Sequence, residues 1–333
     1  MMGLLFPLIQ EIQFNTTEMK KVITTFILAL MIISACTIQN SSNMELVIDS
    51  KSGLGEGALW NYKTGELMWI DITGNVLNFY NPKTGFNKEM FTGQMIGTVV
   101  PEESGQVLVA LQNGIYQLDP QTGTKKFIVN PEEEIPTNRF NDGKCDPAGR
   151  FWVGTMDLEL NPGLGALYRL EPDITIHEMI RDISISNGIV WSKDFKKMYY
   201  IDSPTQKVMV YDYDNETGDI SNPKVAVEIP TEIGLPDGMT IDVDGNLWIA
   251  LYGGAAVGCW NADTGELIRK IEVPSKNVTS CAFGDDDLGT LYITTARQET
   301  SDEELKKYPA AGGIFKTRPG VKGVKAFFFN GEF

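Results

Sequence analysis

The chain has 333 residues, with 44 acidic against 28 basic side chains and a formal net charge of −16 at pH 7. This excess of acid excludes nucleic acid and anionic lipid as partners, because both require a basic surface, and a cation or a neutral small molecule fits better. The single histidine, His177, lies in a strand-like run without another candidate site residue. Its isolation excludes Ser-His-Asp and Cys-His catalysis and any zinc site built on two or more histidines.

The first predicted element is an export signal. From Met19 the chain has two lysines, an apolar run over 22–33 and small residues that end at Cys36, which is the order of a secretory signal peptide. A transmembrane anchor is the alternative, but the apolar run is shorter than the ~20 residues that a span needs. The segment ISAC at 33–36 resembles a bacterial lipobox, in which Cys36 becomes the lipidated first residue. We therefore predict a lipoprotein of the cell envelope, facing the periplasm or the cell exterior, that meets the membrane only through this anchor.

Three segments follow from this interpretation. Residues 1–36 form the signal region, and translation from Met19 is favoured because residues 1–18 contain no basic residue. Residues 37–45 form a short polar tether. Residues 46–333 contain no Pro/Ser-rich joint or low-complexity tract, which predicts one domain.

That domain has an internal repeat. Glycines recur at intervals of roughly 40 to 50 residues, the blade length of a propeller built from four-stranded sheets; they are Gly57, Gly97, Gly143, Gly188 and Gly238. A sixth unit fits at 280–283. Each unit has a polar turn between two runs rich in β-branched and aromatic residues, and no run has the 3.6-residue spacing of a long amphipathic helix. The pattern predicts an all-β, six-bladed β-propeller.

A polar residue directly precedes the glycine in four of these units, as Glu56, Asp142, Asn187 and Asp237. Asn-Gly and Asp-Gly pairs are also common turn signals, so each pair taken alone favours a plain strand start. Recurrence at one point of successive blades instead favours a shared site at the axis. Glu56, Asn187 and Asp237 offer hard oxygen donors, which suit one divalent cation, Ca²⁺, Mg²⁺ or Mn²⁺, with Zn²⁺ less favoured.

Long motifs then carry a family resemblance. The segments GEGALW, NRFNDGKCDPAGRFWVGTM, ISNGIVWS, LPDGMTIDVDGNLWIA and AGGIFK are similar to the senescence-marker-protein/gluconolactonase family, which includes regucalcin and luciferin-regenerating enzymes. The resemblance runs from about Leu54 to Gly331. It implies a six-bladed propeller with one divalent metal in the central channel, held by Glu56, Asn187 and Asp237.

The same resemblance implies a substrate site for a sugar lactone. Arg139 and Asn141 of NRFND match the substrate-contacting arginine and asparagine of the family, and Glu159 of GTMDLE matches a substrate-contacting glutamate. Arg139 could instead pair with a carboxylate of its own loop, and Glu159 could be a solvated loop acid. The segment 160–165 is shorter than in animal regucalcins, which leaves the shape of the substrate lid open.

Other acidic residues and the cysteines are expected to have structural roles. We expect Asp142 to shape its loop through backbone hydrogen bonds, and Asp202 of YYIDS to support the metal site from outside. The acidic runs 132–134 and 285–287 are expected to be solvated, and 242–246 to be a turn because it lacks the later glutamate of a calcium loop. Buried thiols are expected at Cys145, Cys259 and Cys281.

The expected reaction is metal-dependent lactone hydrolysis. The cation would polarise the carbonyl and lower the pKa of a bound water, and Asp237 would take the proton because no histidine is available. Arg139, Asn141 and Glu159 would orient the sugar hydroxyls. Two alternatives remain open: a non-catalytic propeller that binds metal or a sugar acid at the envelope, and a hydrolase of a phosphotriester or another ester.

Overall fold

The computed structural model describes residues 44–331, and within that range 24 β-strands form six four-stranded antiparallel sheets. Five sheets each use four strands that are consecutive in the chain, ordered from the axis outward. The sixth sheet takes three strands from the end of the chain and one from its beginning. The prediction of an all-β, six-bladed propeller is therefore confirmed.

The blades are numbered in chain order. Blades 1 to 3 contain β2 (Gly55–Asn61), β3 (Glu66–Asp71), β4 (Val76–Asn81), β5 (Phe86–Phe91); β6 (Ile96–Pro101), β7 (Val107–Leu111), β8 (Gly114–Leu118), β9 (Lys125–Val129); and β10 (Asn138–Cys145), β11 (Phe151–Asp157), β12 (Gly165–Leu170), β13 (Ile176–Ile183). Blades 4 and 5 contain β14 (Ser186–Trp191), β15 (Lys197–Asp202), β16 (Lys207–Tyr213), β17 (Ile220–Glu228); and β18 (Leu235–Ile241), β19 (Asn246–Tyr252), β20 (Ala256–Asn261), β21 (Leu267–Glu272). Blade 6 contains β22 (Asn277–Gly284), β23 (Thr290–Ala296), β24 (Ile314–Thr317) and β1 (Glu45–Ile48).

Burial falls from the axis to the outermost strand of each blade, and the amino-acid composition of the strands follows that gradient. The second strand of blade 2, VLVAL, is buried along its whole length, whereas the outermost strand of blade 1, FNKEMF, alternates exposed and half-buried residues. Strands buried on both faces are continuously apolar, and an edge strand needs polar residues on its free side. The apolar core therefore lies between neighbouring blades.

The N-terminal strand closes the ring. β1 pairs antiparallel with β24, with Glu45 opposite Lys316 and Leu46 opposite Phe315. The six innermost strands contact one another in order around the axis, and β22 returns to β2. A propeller closed in this way has no open sheet between its first and last blades.

Each innermost strand has an irregular register at one level, which holds the repeated glycine in blades 1 to 5 and Ser280 in blade 6. The glycine is needed there because neighbouring blades approach closely. A Cβ on Gly97 would lie 2.4 Å from the Phe140 carbonyl oxygen, and one on Gly188 would lie 2.6 Å from the Met239 Cβ. The sequence repeat thus marks the level at which a bulge and a close approach turn the preceding side chains towards the axis.

The two ends of the channel differ. The mouth is the end at which the innermost strands begin, and it carries the loops that precede those strands and the loops between second and third strands. The longest of these loops, 297–313, contains the short helix α1 (Asp302–Lys307), which begins with a capping box at Ser301. Short 3₁₀ turns at Ser203–Thr205 and Thr231–Ile233 also lie at the mouth.

A C-terminal strap, residues 321–330, crosses the opposite end, the base. It forms backbone hydrogen bonds with base turns of blades 2, 3, 5 and 6, through Glu103, Gly149, Val243 and Leu288. A cavity of about 70 Å³ lies between this strap and the channel, lined in part by Ala58, Lys144 and Phe327. The strap covers the base, so a substrate reaches the axis from the mouth.

Several sequence predictions can be compared with this structure. The segment 242–246 is a turn, as expected, in which Asp242 accepts hydrogen bonds from the backbone of Asp244 and Asn246. The prediction that all of 132–134 is solvated is wrong, because Glu132 is only 7% exposed. In 44–331 no helix is long and apolar enough to cross a membrane. The signal region with Met19 and Cys36, and residues 37–43 of the tether, lie outside the described residues; Glu45 is the first residue of β1.

Candidate functional site

Two buried carboxylates from different blades meet in the channel. Glu56 on β2 is 7% exposed and Asp237 on β18 is 5% exposed, and their side chains are within hydrogen-bonding contact of each other. Each carboxylate also accepts a hydrogen bond from the next glycine's N–H, at 2.9 Å for Gly57. Two carboxylates in contact cannot both carry a full charge unless a proton or a cation lies between them.

The pKa values of both carboxyl groups are raised. Burial, followed by the charge of Asp142, raises the pKa of Glu56 from 4.5 to about 8. Burial, followed by the charge of Glu56, raises the pKa of Asp237 well above its ordinary value. One oxygen of Asp237, Oδ1, is buried without a hydrogen-bond partner. The pair therefore favours a bound proton or a cation strongly.

Asn187 on β14 presents its amide oxygen in a fixed orientation. Its Nδ2 donates to Ser203 Oγ at 2.9 Å, and Ser203 Oγ in turn donates to the Pro236 carbonyl at 2.6 Å. Since the Ser203 proton is used on Pro236, Ser203 can only accept from the Asn187 amide nitrogen. Asn187 Oδ1 then lies on the other side, 3.3 Å from Asn141 Nδ2. The Ser203 bridge also links Asn187 to the strand that holds Asp237.

Arg139 and Asn141 on β10 form a connected unit beside this set. Arg139 Nη1 donates to Asn141 Oδ1 at 2.7 Å and to the Phe140 carbonyl at 3.0 Å. Asn141 Nδ2 donates to the Ser186 carbonyl at 2.7 Å. Burial lowers the pKa of Arg139 to about 10, against the opposing charges of Glu56 and Asp237. Arg139 thus remains a cation at neutral pH, within the electrostatic reach of both carboxylates.

Asp142 bonds to backbone, as the sequence led us to expect. Its Oδ1 accepts from Gly143 N at 2.8 Å, while its buried Oδ2 has no hydrogen-bond partner. Burial raises the pKa of Asp142, and the charge of Lys144 opposes that rise. Lys144, which no sequence motif marked, donates its Nζ to the Met239 carbonyl on β18. Burial lowers the pKa of Lys144.

Asp202 accepts hydrogen bonds from the backbone that precedes β14. At the end of β15 it accepts hydrogen bonds from Ser184 N at 3.2 Å and Ile185 N at 2.9 Å, just before β14 begins. Asp71 has the same position in blade 1, where it accepts from Gly53 N and Leu54 N before β2 begins. Both aspartates fix the start of a strand that carries a site residue. The sequence motifs pointed to Asp202 but not to Asp71.

Glu159 lies apart from the buried residues. It is exposed on the 158–164 loop at the mouth, and its backbone N–H donates to Asp157 Oδ1 at 3.0 Å. In the structure its side chain is therefore not part of the buried cluster, and it lies on the face from which a substrate would enter.

Two further residues, which the sequence did not predict, form hydrogen bonds near the site or at the mouth. Glu132 accepts hydrogen bonds from Asn138 Nδ2, Thr155 Oγ1 and Tyr168 OH at 3.1, 2.8 and 3.0 Å, and so anchors the start of β10 ahead of Arg139. A second unpredicted residue lies at the mouth on blade 5. There the Tyr252 hydroxyl lies 3.3 Å from both the Gln298 carbonyl and the Glu299 carboxylate.

The cysteines have the predicted character. Within the described residues three free thiols occur, all of them buried, at Cys145, Cys259 and Cys281. Burial raises the pKa of each thiol. A thiol that resists ionisation is a poor nucleophile, so none of the three serves catalysis.

The donor set fits a hard divalent cation. Glu56 and Asp237 supply two carboxylates in contact, with an orphaned oxygen on Asp237, and Asn187 supplies an amide oxygen of fixed orientation. No group of three or more His, Cys, Asp or Glu side chains within 44–331 is arranged as a metal site. The fit therefore depends on the mixed set of two carboxylates and one amide, and oxygen donors of this kind suit Ca²⁺, Mg²⁺ or Mn²⁺.

The chain is similar to known proteins over most of its length. The model of the SMP-30/Gluconolactonase/LRE-like region matches residues 54–297. Regucalcin of Danio rerio is 37% identical over 297 residues, covering 88% of this chain and 100% of its own. A solved luciferin-regenerating enzyme has a TM-score of 0.82 at 33% identity, over 87% of this chain and 99% of its own. A regucalcin from Agrobacterium tumefaciens, described as a calcium-binding protein, has a TM-score of 0.83 at 27% identity, over 87% and 98%.

Proposed function

This chain belongs to the SMP-30/gluconolactonase/LRE-like family, and from that premise we propose that it is a divalent-metal-dependent hydrolase that opens sugar lactones to the corresponding acids. At the family level a lactonase is supported by the gluconolactonase relationship itself. The metal dependence and the assignment of residues to roles rest on the geometry of the channel.

One observation carries the proposal. Glu56 and Asp237 come from blades 1 and 5, are buried, and are in contact with each other. Such an arrangement costs stability unless a proton or a cation neutralises it, and fold stability alone gives no reason to keep it. It lies beside a charged arginine that is held by an asparagine. A cation bound beside this arginine could polarise a substrate carbonyl, while the arginine donates hydrogen bonds to other oxygen atoms of the substrate.

When bound, the divalent cation supplies Lewis-acid polarisation of the carbonyl group. Arg139, held by Asn141, donates hydrogen bonds to oxygen atoms of the lactone and so fixes its orientation. Asp237 accepts the proton of the attacking water as general base. Water adds to the carbonyl carbon, the ring C–O bond breaks, and the departing ring oxygen receives a proton to give the open hydroxy acid. The exposed Glu159 contacts the distal part of the substrate at the mouth.

The test is hydrolysis of a panel of sugar lactones, followed as acid release after chelation and after addition of Ca²⁺, Mg²⁺, Mn²⁺ or Zn²⁺. We expect chelation to abolish turnover and one or more of these ions to restore it. Binding of the ion, measured by calorimetry, without turnover of any lactone would instead support a non-catalytic propeller. Full turnover in the presence of chelator would refute the metal dependence.

Variants separate the proposed roles. Asp237→Asn keeps the shape of the side chain but removes the base and one ligand charge, so we expect turnover to be lost and the affinity for the ion to fall at least about tenfold. Arg139→Ala should retain the ion and raise KM by about 10- to 100-fold, as expected for a charge-assisted hydrogen bond. The matched control is Asp142→Asn, a buried channel carboxylate that we do not assign as a ligand. It should still bind the ion.

Export and lipid anchoring remain a separate proposal. The support is the order of lysines, apolar run and ISAC segment before Cys36, a position outside the described residues. Cys36→Ser should move the protein from the membrane fraction to the soluble fraction of the envelope. Retention of this variant in the membrane fraction would favour a transmembrane anchor.

A further inference from the structure

The mouth carries a cluster of exposed apolar side chains on blade 3, which we call the apolar rim. It comprises Ile135, Leu158, Leu160 and Leu164, which are 42%, 38%, 54% and 51% exposed. All four lie on two loops, 130–137 and 158–164, that belong to the mouth. Single exposed apolar residues are common on protein surfaces, whereas several together mark a binding surface.

Hydrogen bonds hold the two loops together next to Arg139. Arg139 pairs with Met156 and Asn138 pairs with Asp157 across β10 and β11. The ladder continues into the loops, because Leu158 N donates to the Thr137 carbonyl at 2.8 Å. Farther along, Asn138 Nδ2 donates to the Leu164 carbonyl at 2.7 Å. The apolar rim is thus a direct extension of the strand pair that carries the proposed substrate-orienting arginine.

Hydrogen bonds also hold one residue of the rim in an unfavourable backbone conformation. Leu160 has φ 63°, in the left-handed region that leucine rarely adopts. Asp157 Oδ1 fixes this turn by accepting hydrogen bonds from Glu159 N, Asn161 N and Asn161 Nδ2, at 3.0, 3.1 and 2.9 Å. A strained backbone that exposes an apolar side chain gains nothing for stability, and strain of this kind is concentrated at ligand sites.

Exposed apolar residues elsewhere have a different setting. Phe86, Leu267 and Ile268 are 65%, 46% and 52% exposed, but they lie on the outermost strands β5 and β21. Those strands form the outer wall of the propeller, and the three residues lie where the strands begin, at the base end. Within the described part of the chain, only the rim combines apolar exposure, a fixed backbone and direct continuity with the strand of Arg139.

We propose that the preferred substrate is a lactone that carries an apolar substituent, with its ring at the axial site and its substituent on the apolar rim. This inference rests on the proposed lactonase function and adds the substrate class. A bare polyhydroxylated sugar lactone would leave the rim in water. An alkyl or aryl group on the ring would cover it, and Glu159 between Leu158 and Leu160 would bind a polar atom at the edge of that group.

The test compares lactones of one ring size that differ only in an alkyl chain: the unsubstituted ring, the butyl derivative and the hexyl derivative, with glucono-δ-lactone as the polar reference. Burial of a methylene group raises kcat/KM by about two- to fourfold. We expect kcat/KM to rise along the series and to exceed that of glucono-δ-lactone for the hexyl compound.

The decisive variant is Leu160→Asn combined with Leu164→Ser, because asparagine tolerates the left-handed backbone and both sites are exposed. The ratio of kcat/KM for the hexyl lactone over the unsubstituted lactone should fall about tenfold. The matched control, Leu267→Ser combined with Ile268→Ser, removes comparable exposed apolar surface from β21 and should leave that ratio unchanged.

The outcomes distinguish the two proposals. If the protein hydrolyses lactones but shows no gain with chain length, or if the rim variant and the β21 variant have the same ratio, the substituent proposal is overturned and the lactonase proposal stands. An equal loss for all lactones in the rim variant also overturns it, since the rim would then only shape the loop. If no lactone is hydrolysed, the lactonase proposal fails and this inference fails with it.

Discussion

The contact between Glu56 and Asp237 makes the metal-free protein sensitive to pH. The perturbation is removal of divalent ions with a chelator, followed by unfolding at a series of pH values. Burial raises the pKa of Glu56 from 4.5 to about 8 and raises that of Asp237 as well. Between pH 4.5 and about 8, Glu56 of the folded protein keeps a proton that the unfolded chain has released. The folded state therefore binds more protons than the unfolded state, and stability falls as pH rises from about 5 to about 8.

The size of the effect follows from the shift of one group. A shift of one pKa unit corresponds to about 1.4 kcal/mol. Over the measured range from pH 5 to pH 8, the shift of Glu56 from 4.5 to about 8 therefore lowers the free energy of unfolding by about 3 to 4 kcal/mol. For a domain of this size, 1 kcal/mol changes the melting temperature by about 2 to 4 °C. We expect the metal-free protein to melt at least about 6 °C lower at pH 8 than at pH 5.

The assay is thermal unfolding by circular dichroism at pH 5, 6, 7 and 8, in chelator and in saturating divalent ion. The ion favours the ionised carboxylates, so its presence should remove most of the decline. Glu56→Gln, which does not titrate, should also flatten the decline in chelator. A melting temperature in chelator that is constant over this range, or that declines equally in Glu56→Gln, would refute the reasoning.

Three further predictions concern the scaffold. Deletion of the residues up to Ile48 removes β1 and opens blade 6, so the melting temperature should fall by at least about 5 °C; an unchanged value would show that ring closure contributes little. Glu132→Ala removes the acceptor of three buried hydrogen bonds and should lower the free energy of unfolding in urea by about 2 to 4 kcal/mol. Glu133→Ala, which changes the exposed neighbour, should lower it by less than about 0.5 kcal/mol. A thiol reagent should label the three described cysteines only after unfolding, and labelling of the native protein would contradict their burial; they are Cys145, Cys259 and Cys281.

The blade count could be predicted from sequence because the physical cause of the repeat is local. In blades 1 to 5 a glycine stands where neighbouring innermost strands approach, as at Gly97 and Gly188, so its spacing reports the blade length directly. Glu56 and Asp237 each precede such a glycine, and each lies on an innermost strand. Equivalent positions of a repeat that surrounds one axis lie near that axis, so the spacing alone predicts that these two carboxylates share the channel.

Other features depend on contacts between distant parts of the chain. Glu132 belongs to a run of three glutamates that is polar by composition, and only its contacts with Thr155 and Tyr168 show that it is buried. Lys144 follows Gly143 in a strand, and its partner, the Met239 carbonyl, lies 95 residues away. Closure of blade 6 likewise pairs β1 with β24, two strands far apart in the chain. Local pattern carries no signal for such pairings.

Lys144 also explains why the demand for a cation falls on Glu56 and Asp237 and not on Asp142. The described channel residues include three carboxylates, Glu56, Asp142 and Asp237, and two cations, Arg139 and Lys144. Lys144 acts on Asp142 and donates to β18, so the protein supplies its own counter-charge to Asp142. Glu56 and Asp237 have only the electrostatic attraction of Arg139, which is bonded to Asn141. The uncompensated negative charge therefore lies at their contact, and it is this pair, not Asp142, that needs the proposed divalent ion.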